Sequence, residues 1–288
     1  MVWSRLKATL IGTRTPTVPA PDPDAPPRAV PAGTVVYAVG DIHGRLDLLT
    51  SLMRQITDHA ARIGAQHEVG RKVVVCVGDY VDRGPDSRGV IDFLLDLPQA
   101  QALADSAQTL PGSAPAIGFT LKCLIGNHER MMLDFLVEPE TVGQMWLRNG
   151  GLETLQSYGV AFDTAAPRVQ EFQRARDALA AALPARHKEF LDQLLLTHRE
   201  GDYLFVHAGL KPGVALDAQR EADMLWIRGP FLHTPADYGC LVVHGHTITP
   251  EPEWEAWRIG IDTGAFYTGR LTALALMGER QEIIQAVA

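Results

Sequence analysis

The chain is predicted to be an α/β protein with two central β-sheets packed as a sandwich and flanking α-helices. Two observations lead there. Short apolar, β-branched runs alternate with segments of helical period through the first 125 residues, giving strand–helix–strand–helix–strand. A mostly helical stretch over 130–200 then gives way to a further series of short strands, so the helices have two sheets to cover.

The elements follow in order. Residues 1–32 read as a proline-rich, flexible N-terminal tail, because Pro16, Pro19, Pro21, Pro23, Pro26, Pro27 and Pro31 lack N–H donors and fix φ. A single domain is expected over 33–288. Residues 34–39 form a buried strand that stops at Gly40. Leu48, Leu49, Leu52, Met53, Ile56, Ala60 and Ile63 recur at helical spacing, with Gly64 placed to cap the end. A second strand over 73–77 is followed by a turn at Arg83-Gly84-Pro85 and a helix over 90–97. Residues 101–118 hold Pro, Gly, Ser and Ala without strong period and read as a surface insertion, helical in part. The third strand is 121–125. In the helical middle, Phe190, Leu191, Leu194 and Leu195 make one apolar face. Strands resume at 203–206, 241–243, 258–261 and 271–276.

Composition narrows the classes. At 288 residues and 46% hydrophobic, the chain can bury one large core. A net charge of −8 argues against a partner such as a nucleic-acid duplex. No run of roughly 18 apolar residues occurs, so no membrane partner is expected. Cys76, Cys123 and Cys240 form no CxxC pair and lie in or beside apolar runs. Buried free thiols, a reducing compartment and a cytoplasmic location are the expectation.

Five short blocks, each ending an apolar run, carry the chemistry: Gly-Asp-Ile-His-Gly (40–44), Gly-Asp-Tyr-Val-Asp-Arg-Gly (78–84), Gly-Asn-His-Glu (126–129), Val-His-Ala-Gly (206–209) and His-Gly-His-Thr (244–247). A lone Asp or His after a strand is more often a cap or a hydrogen-bonded core residue; five in series supply enough donors for two metal ions. Asp41 and His43 flank one residue, so strand period would turn both toward one ion. Asp79 offers two oxygens and could bridge two ions. Asn127 adds a neutral oxygen, and His207 and His246 add imidazole nitrogens. This N/O set without thiolate suits Mn, Fe or Zn more than calcium, and two divalent ions, Mn2+ first, are the expectation. Two ions about 3.5–4 Å apart would activate a bridging hydroxide for in-line attack on a phosphate ester. His128 is the candidate acid for the leaving alkoxide, with Asp82 orienting it, and Arg83 is a candidate phosphate clamp.

From about Val36 to Leu276 these residues resemble the phosphoprotein phosphatase family of calcineurin-like metallophosphoesterases, in its bacterial-type branch. The Gly-Asp-Tyr-Val-Asp-Arg-Gly and Gly-Asn-His-Glu blocks are the specific match. The resemblance implies that Asp41, His43 and Asp79 bind one metal, and that Asp79, Asn127, His207 and His246 bind the other. His128 with Asp82 would be the acid pair, and Arg83, Arg228 and Asn127 would hold phosphate. It implies a serine/threonine protein phosphatase acting on phosphorylated protein or peptide. Symmetrical diadenosine tetraphosphate hydrolases share the first block, so a dinucleoside polyphosphate is the alternative substrate. A non-catalytic phospho-ligand module is the second alternative.

Outside the blocks, His244 is expected behind the ligands or on the substrate rim, and His59, His67, His187, His198 and His233 at the surface. In Trp146-Leu147-Arg148-Asn149-Gly150-Gly151, which resembles a bacterial segment at the site entrance, Arg148 or Asn149 could touch substrate; a helix cap is the equal alternative.

Overall fold

The computed structural model describes residues 27–107, 118–165 and 169–288. Most of the expected tail (1–26) and residues 108–117 of the expected insertion lie outside the described residues. The packed chain begins before Gly33. Val30 is buried, its N–H donates to Gly278 O, and the Ala29 N–H donates to Asp202.

The first sheet has the order β10-β9-β1-β2-β3, with β1 Thr34–Val39, β2 Arg71–Cys76, β3 Phe119–Cys123, β9 Arg270–Met277 and β10 Arg280–Val287. Its three early strands are parallel, and β9 and β10 add to it antiparallel. The second sheet has the order β4-β5-β6-β8-β7, with β4 Thr197–Glu200, β5 Tyr203–Val206, β6 Leu241–His244, β7 Glu253–Trp254 and β8 Arg258–Gly260. β5, β6 and β8 run parallel between antiparallel edges.

Strand period sorts the side chains. In β1, Val36 and Ala38 face the other sheet and pack with Val73, Val75, Phe205, Val243 and Ile259. Val35, Tyr37 and Val39 face the helices instead. That outer layer contains α1 Leu46–Gln66 and α2 Ser87–Ala107. α3 Asn127–Val137, α4 Pro139–Trp146, α5 Leu152–Ser157, α6 Val169–Ala182 and α7 Ala185–Asp192 extend it. Two short helices, α8 Glu221–Trp226 and α9 Gly229–His233, pack the far face of the second sheet through Met224 and Phe231. The result is a helix–sheet–sheet–helix sandwich, as the strand order predicts.

Several local expectations shift. α1 buries every apolar position named for it but runs through Gly64 to an extended His67, whose N–H bonds Ile63 O, so Gly64 is not the cap. Residues 101–107 continue α2. Leu195 lies beyond α7 and is exposed, outside the apolar face of Phe190 and Leu191. The edge strands β4, β7 and β10 are too polar or too short to read from apolar runs. All three cysteines are free, Cys76 and Cys240 buried and Cys123 half-buried. His59 and His187 are buried, not surface residues. Each bonds a tyrosine hydroxyl, Tyr37 at 2.9 Å and Tyr158 at 2.8 Å, and each meets an acid on its other nitrogen, which gives a polar ring a place in an apolar layer.

One ionic link joins the sheets. Arg71 of β2 donates both terminal nitrogens to Glu200 of β4 at 2.7 Å, and His198 approaches the same carboxylate at 2.8 Å. Burial alone would raise Glu200, but the bonds from Arg71 and His198 hold it below the usual carboxylate range. A depressed folded-state pKa contributes stability that is present above the ordinary glutamate value and lost as pH falls through the folded one. Glu200→Gln should therefore lower stability by about 1 kcal/mol at pH 7, since Arg71 is half exposed. Urea unfolding at pH 7 and at pH 3.5 should show the difference shrinking at the lower pH.

Candidate metal centre

All five blocks sit at the C-terminal ends of parallel strands. Asp41 and His43 follow β1, while Asp79, Asp82 and Arg83 follow β2. Asn127 and His128 open α3 just after β3, His207 follows β5 and His246 follows β6. Backbone bonds tie the first two loops together: the Ile42 and His43 N–H groups both donate to Asp79 O, at 3.1 and 2.8 Å.

Asp79 is the hub. His43 Nε2 lies 3.5 Å and His128 Nε2 3.9 Å from its Oδ2, and His207 Nε2 lies 3.4 Å from its Oδ1. Two buried groups of residues are each close enough to hold a cation, His43–Asp79–His128 and Asp79–His207–His246, and Asp79 belongs to both. Asn127 Oδ1 is 2.8 Å from His207 Nε2, which puts it beside the second group. Asp41 stands outside the first group and accepts the His246 N–H on Oδ2. The strand-period argument for Asp41 and His43 does not hold, because His43 adopts φ 46° and the chain past Gly40 is no longer a strand.

The donor set fits divalent cations. Asp41 Oδ1 and His246 Nε2 are buried without a hydrogen-bond partner, an acceptor oxygen and an imidazole nitrogen of the kind cations satisfy. The Arg83 guanidinium lies 3.0 Å from His43 Nε2, a positive group against a ligand nitrogen. Burial pushes His43 down to about 3 and His207 and His246 below the usual histidine value, so their lone pairs are free. Burial would raise Asp79, but the four surrounding histidines hold it well below the carboxylate range. Burial, Asp262 and Asp79 push Asp41 up.

His128 behaves differently. Its Nδ1 lies 2.7 Å from Asp82 Oδ2, and Asp82 also accepts from Trp146 Nε1 at 2.9 Å and Thr154 Oγ1 at 2.6 Å. Burial lowers a histidine, yet Asp79 and Asp82 together raise His128 above its ordinary value. Burial raises Asp82 in turn. Arg83, half-buried, donates its backbone N–H to Gly150 O. Arg228 is exposed, reaches Thr247 Oγ1 at 3.3 Å, and sits near enough to depress His207 and His246.

His244 is not at the centre. It is buried against Phe231 and Arg258, with Nδ1 on Gly245 O, and His246 parts from it by taking φ 64°. Arg148 is exposed and Asn149 back-bonds to Met145 O. Neither Asn149 nor the Gly-Gly pair makes a C-cap, since a five-residue π-type turn over Leu147–Gly151 leads into α5. That stretch serves the site through Trp146 and Gly150. Sequence reasoning gave no role to Trp146, Thr154, Phe266 or Glu129. Only Glu129 carried a signal, an acid in the first turn of a helix that opens at the site.

A family model for calcineurin-like phosphoesterases matches residues 34–262, which contain every block. The chain belongs to the calcineurin-like phosphoesterases. Members of this family use pairs of divalent metals, in keeping with the shared Asp79. This calcineurin-like phosphoesterase is 25% identical over 255 residues to an asymmetrical bis(5'-nucleosyl)-tetraphosphatase, PrpE of Anoxybacillus flavithermus, covering 82% of this chain and 88% of that one. It is 27% identical over 248 residues to serine/threonine-protein phosphatase 2 of Escherichia coli, covering 82% and 90%. The fold is also that of the cold-active protein-tyrosine phosphatase of a Shewanella species, at TM-score 0.51 and 18% identity over 89% of this chain and 83% of that one. The tetraphosphatases among these relatives are named asymmetrical, not the symmetrical kind expected from the first block.

Glu129 clamps the centre from beneath. Its Oε2 accepts the N–H groups of Asp79 and Gly126, each at 2.9 Å, and its Oε1 those of Tyr80 and Val81, at 2.7 and 3.1 Å. Glu129→Gln turns one acceptor into a donor facing N–H groups. It should cost about 2–4 kcal/mol of stability and lower metal content, read by urea unfolding and by elemental analysis of dialysed protein.

Proposed function

We propose that this phosphoesterase hydrolyses phosphomonoesters, specifically phosphoserine and phosphothreonine in proteins. The observation that carries the reading is His128, tied to Asp82 by Nδ1 and facing Asp79 with Nε2. An alkoxide leaving from a serine or threonine side chain needs a proton as the P–O bond breaks. A nucleotide leaving group is already a stable anion at neutral pH. A buried imidazole whose carboxylate neighbours favour its protonated form is a device for the first case.

In this reading Asp41, His43 and Asp79 hold one cation, and Asp79, Asn127, His207 and His246 the other, with Mn2+ the expected ion and Fe or Zn the alternatives. When bound, the cations supply Lewis-acid stabilisation of the phosphoryl oxygens and a water deprotonated near neutral pH. Arg83 and Arg228, with Asn127, hold the phosphate in line. His128 Nε2 delivers its proton to the leaving oxygen, and Asp82 keeps Nδ1 protonated and the ring aimed. Trp146 and Thr154 hold Asp82 in turn. The exposed Arg228, Trp226, Ile248 and Tyr267 near this centre suit a substrate carried on a protein surface.

The second reading is an asymmetrical dinucleoside tetraphosphatase, favoured by relatives of that name aligned over 82% of the chain. Comparing kcat/KM for phosphoserine and phosphothreonine peptides with that for diadenosine tetraphosphate, each with Mn2+, should show the peptides preferred. A preference for the dinucleotide moves the assignment to the second reading. Failure on both, and on p-nitrophenyl phosphate, would mean a non-catalytic phospho-ligand module. His128→Asn should cut kcat on the peptides by about 10²–10⁴ and leave metal content unchanged. Loss of metal would make His128 a ligand, a role its place beside His43 and Asp79 also permits.

A further inference from the structure

We infer that Phe266 is a positioning residue for Arg83, its ring serving as a platform under one face of the guanidinium so that the N–H edges are presented to a bound phosphate. The inference rests on the phosphate role of Arg83 but not on which phosphoester is the substrate. The Arg83 guanidinium carbon lies 4.7 Å from the centroid of the Phe266 ring. The same ring stands edge-on to His43, with centroids 5.2 Å apart and planes at 83°. Phe266 thus touches both the clamp and a ligand candidate.

Its burial does not explain the ring. Ala265 belongs to the main apolar core, whereas Phe266 is only half-buried and lies outside the apolar clusters of the described residues. The turn that presents it is pinned. α10, Ala265–Thr268, starts after Gly264, whose N–H donates to Asp262 Oδ1 at 2.9 Å. Arg45 bonds Ala265 O at 2.8 Å, and Thr268 Oγ1 donates to Thr263 O at 2.7 Å.

The other end of Arg83 is fixed as well. Its backbone takes φ 67°, and its N–H donates to Gly150 O at 3.1 Å. Gly150 itself has φ 105°, and a Cβ there would lie 2.6 Å from Arg83 N, so only glycine permits this approach. With backbone and head group both held, little rotamer freedom is left to lose when phosphate binds. A ring under the guanidinium face also leaves the N–H edges free for phosphate oxygens. Arg228 has no such support; among the described residues its side chain's one hydrogen bond is to Thr247.

The test is calorimetric titration of inorganic phosphate into Mn2+-loaded protein, with metal content measured alongside. Phe266→Leu should weaken phosphate binding by roughly three- to tenfold, the scale of a partly exposed cation–π contact. Phe266→Tyr should restore binding to within about twofold, because the platform is kept. In an Arg83→Ala background, Phe266→Leu should have no further effect. Phe266→Met substitutes if the leucine variant does not fold. Unchanged phosphate affinity in Phe266→Leu overturns the inference, as does an equal loss with and without Arg83, which would place the effect on His43 or the fold. If the parent protein binds phosphate but turns over no phosphoester, the functional reading fails and the Phe266 result still decides this one.

Discussion

Four backbone N–H groups from two loops converge on one buried carboxylate, Glu129, and the metal centre depends on that convergence. β2 and β3 are neighbours in the first sheet, but their C-terminal loops are irregular and carry backbone donors that the ladder no longer satisfies. Glu129 accepts from both loops at once, so Asp79 at the end of one and Asn127 and His128 at the start of α3 are held in one frame. An unpaired buried N–H costs about as much as a lost hydrogen bond, and here four are satisfied by a single side chain. Burial and the charge of Asp79 push Glu129 up to about 8. Cations held by Asp79 would offset its charge and so oppose that rise.

The same frame bears strain. Among the described residues the non-glycine residues at positive φ are His43, Asp79, Asp82, Arg83 and His246, and each belongs to one of the blocks. A left-handed conformation costs such residues on the order of 1 kcal/mol each, and it persists only where neighbours over-determine it. Those neighbours are visible: Gly44 N–H on Tyr80 O, Asp82 N–H on Thr154 Oγ1, Arg83 N–H on Gly150 O and His246 N–H on Asp41. The sandwich beneath, with Val36, Val75, Phe205 and Val243 fully buried, is the rigid base against which the loops are bent.

This division explains what was legible in the sequence. β1, β5 and the buried face of α1 follow from apolar period, because there local pattern and tertiary packing agree. The blocks were legible as chemistry, since Asp, Asn and His at successive strand ends have few other uses. Their geometry was not. Strand alternation was the wrong reason to turn Asp41 and His43 the same way, because His43 is left-handed and the loop, not the strand, sets where the two side chains point. The long-range partners were hidden for another reason. Trp146 and Thr154 reach Asp82 across more than sixty residues of chain, and Phe266 meets Arg83 only after β9 brings α10 back to the first sheet. No spacing rule records such pairings. His59 and His187 were misplaced because their polar neighbours in sequence are on helix faces, whereas their own faces turn inward to tyrosines.

What separates the proposed ligands from the proposed acid is the atom behind each imidazole. His43 and His207 both present Nδ1 to a backbone carbonyl, Val81 O and Val77 O, each at 2.9 Å. A carbonyl only accepts, so Nδ1 carries the hydrogen and Nε2 carries the lone pair toward Asp79. It also adds no charge, and burial keeps these rings neutral. His128 presents Nδ1 to Asp82 instead. A carboxylate fixes the same tautomer but also stabilises a second proton on Nε2, and the ring is raised where its neighbours are lowered. His43 and His207 on one side and His128 on the other, all buried around one aspartate, are thus divided by whether a carbonyl or a carboxylate stands behind the ring. The carbonyls come from the backbone that follows β2, so the sheet supplies them to any sequence that folds this way. The carboxylate is a side chain held by Trp146 and Thr154, and it is the part of the centre that the fold alone does not provide.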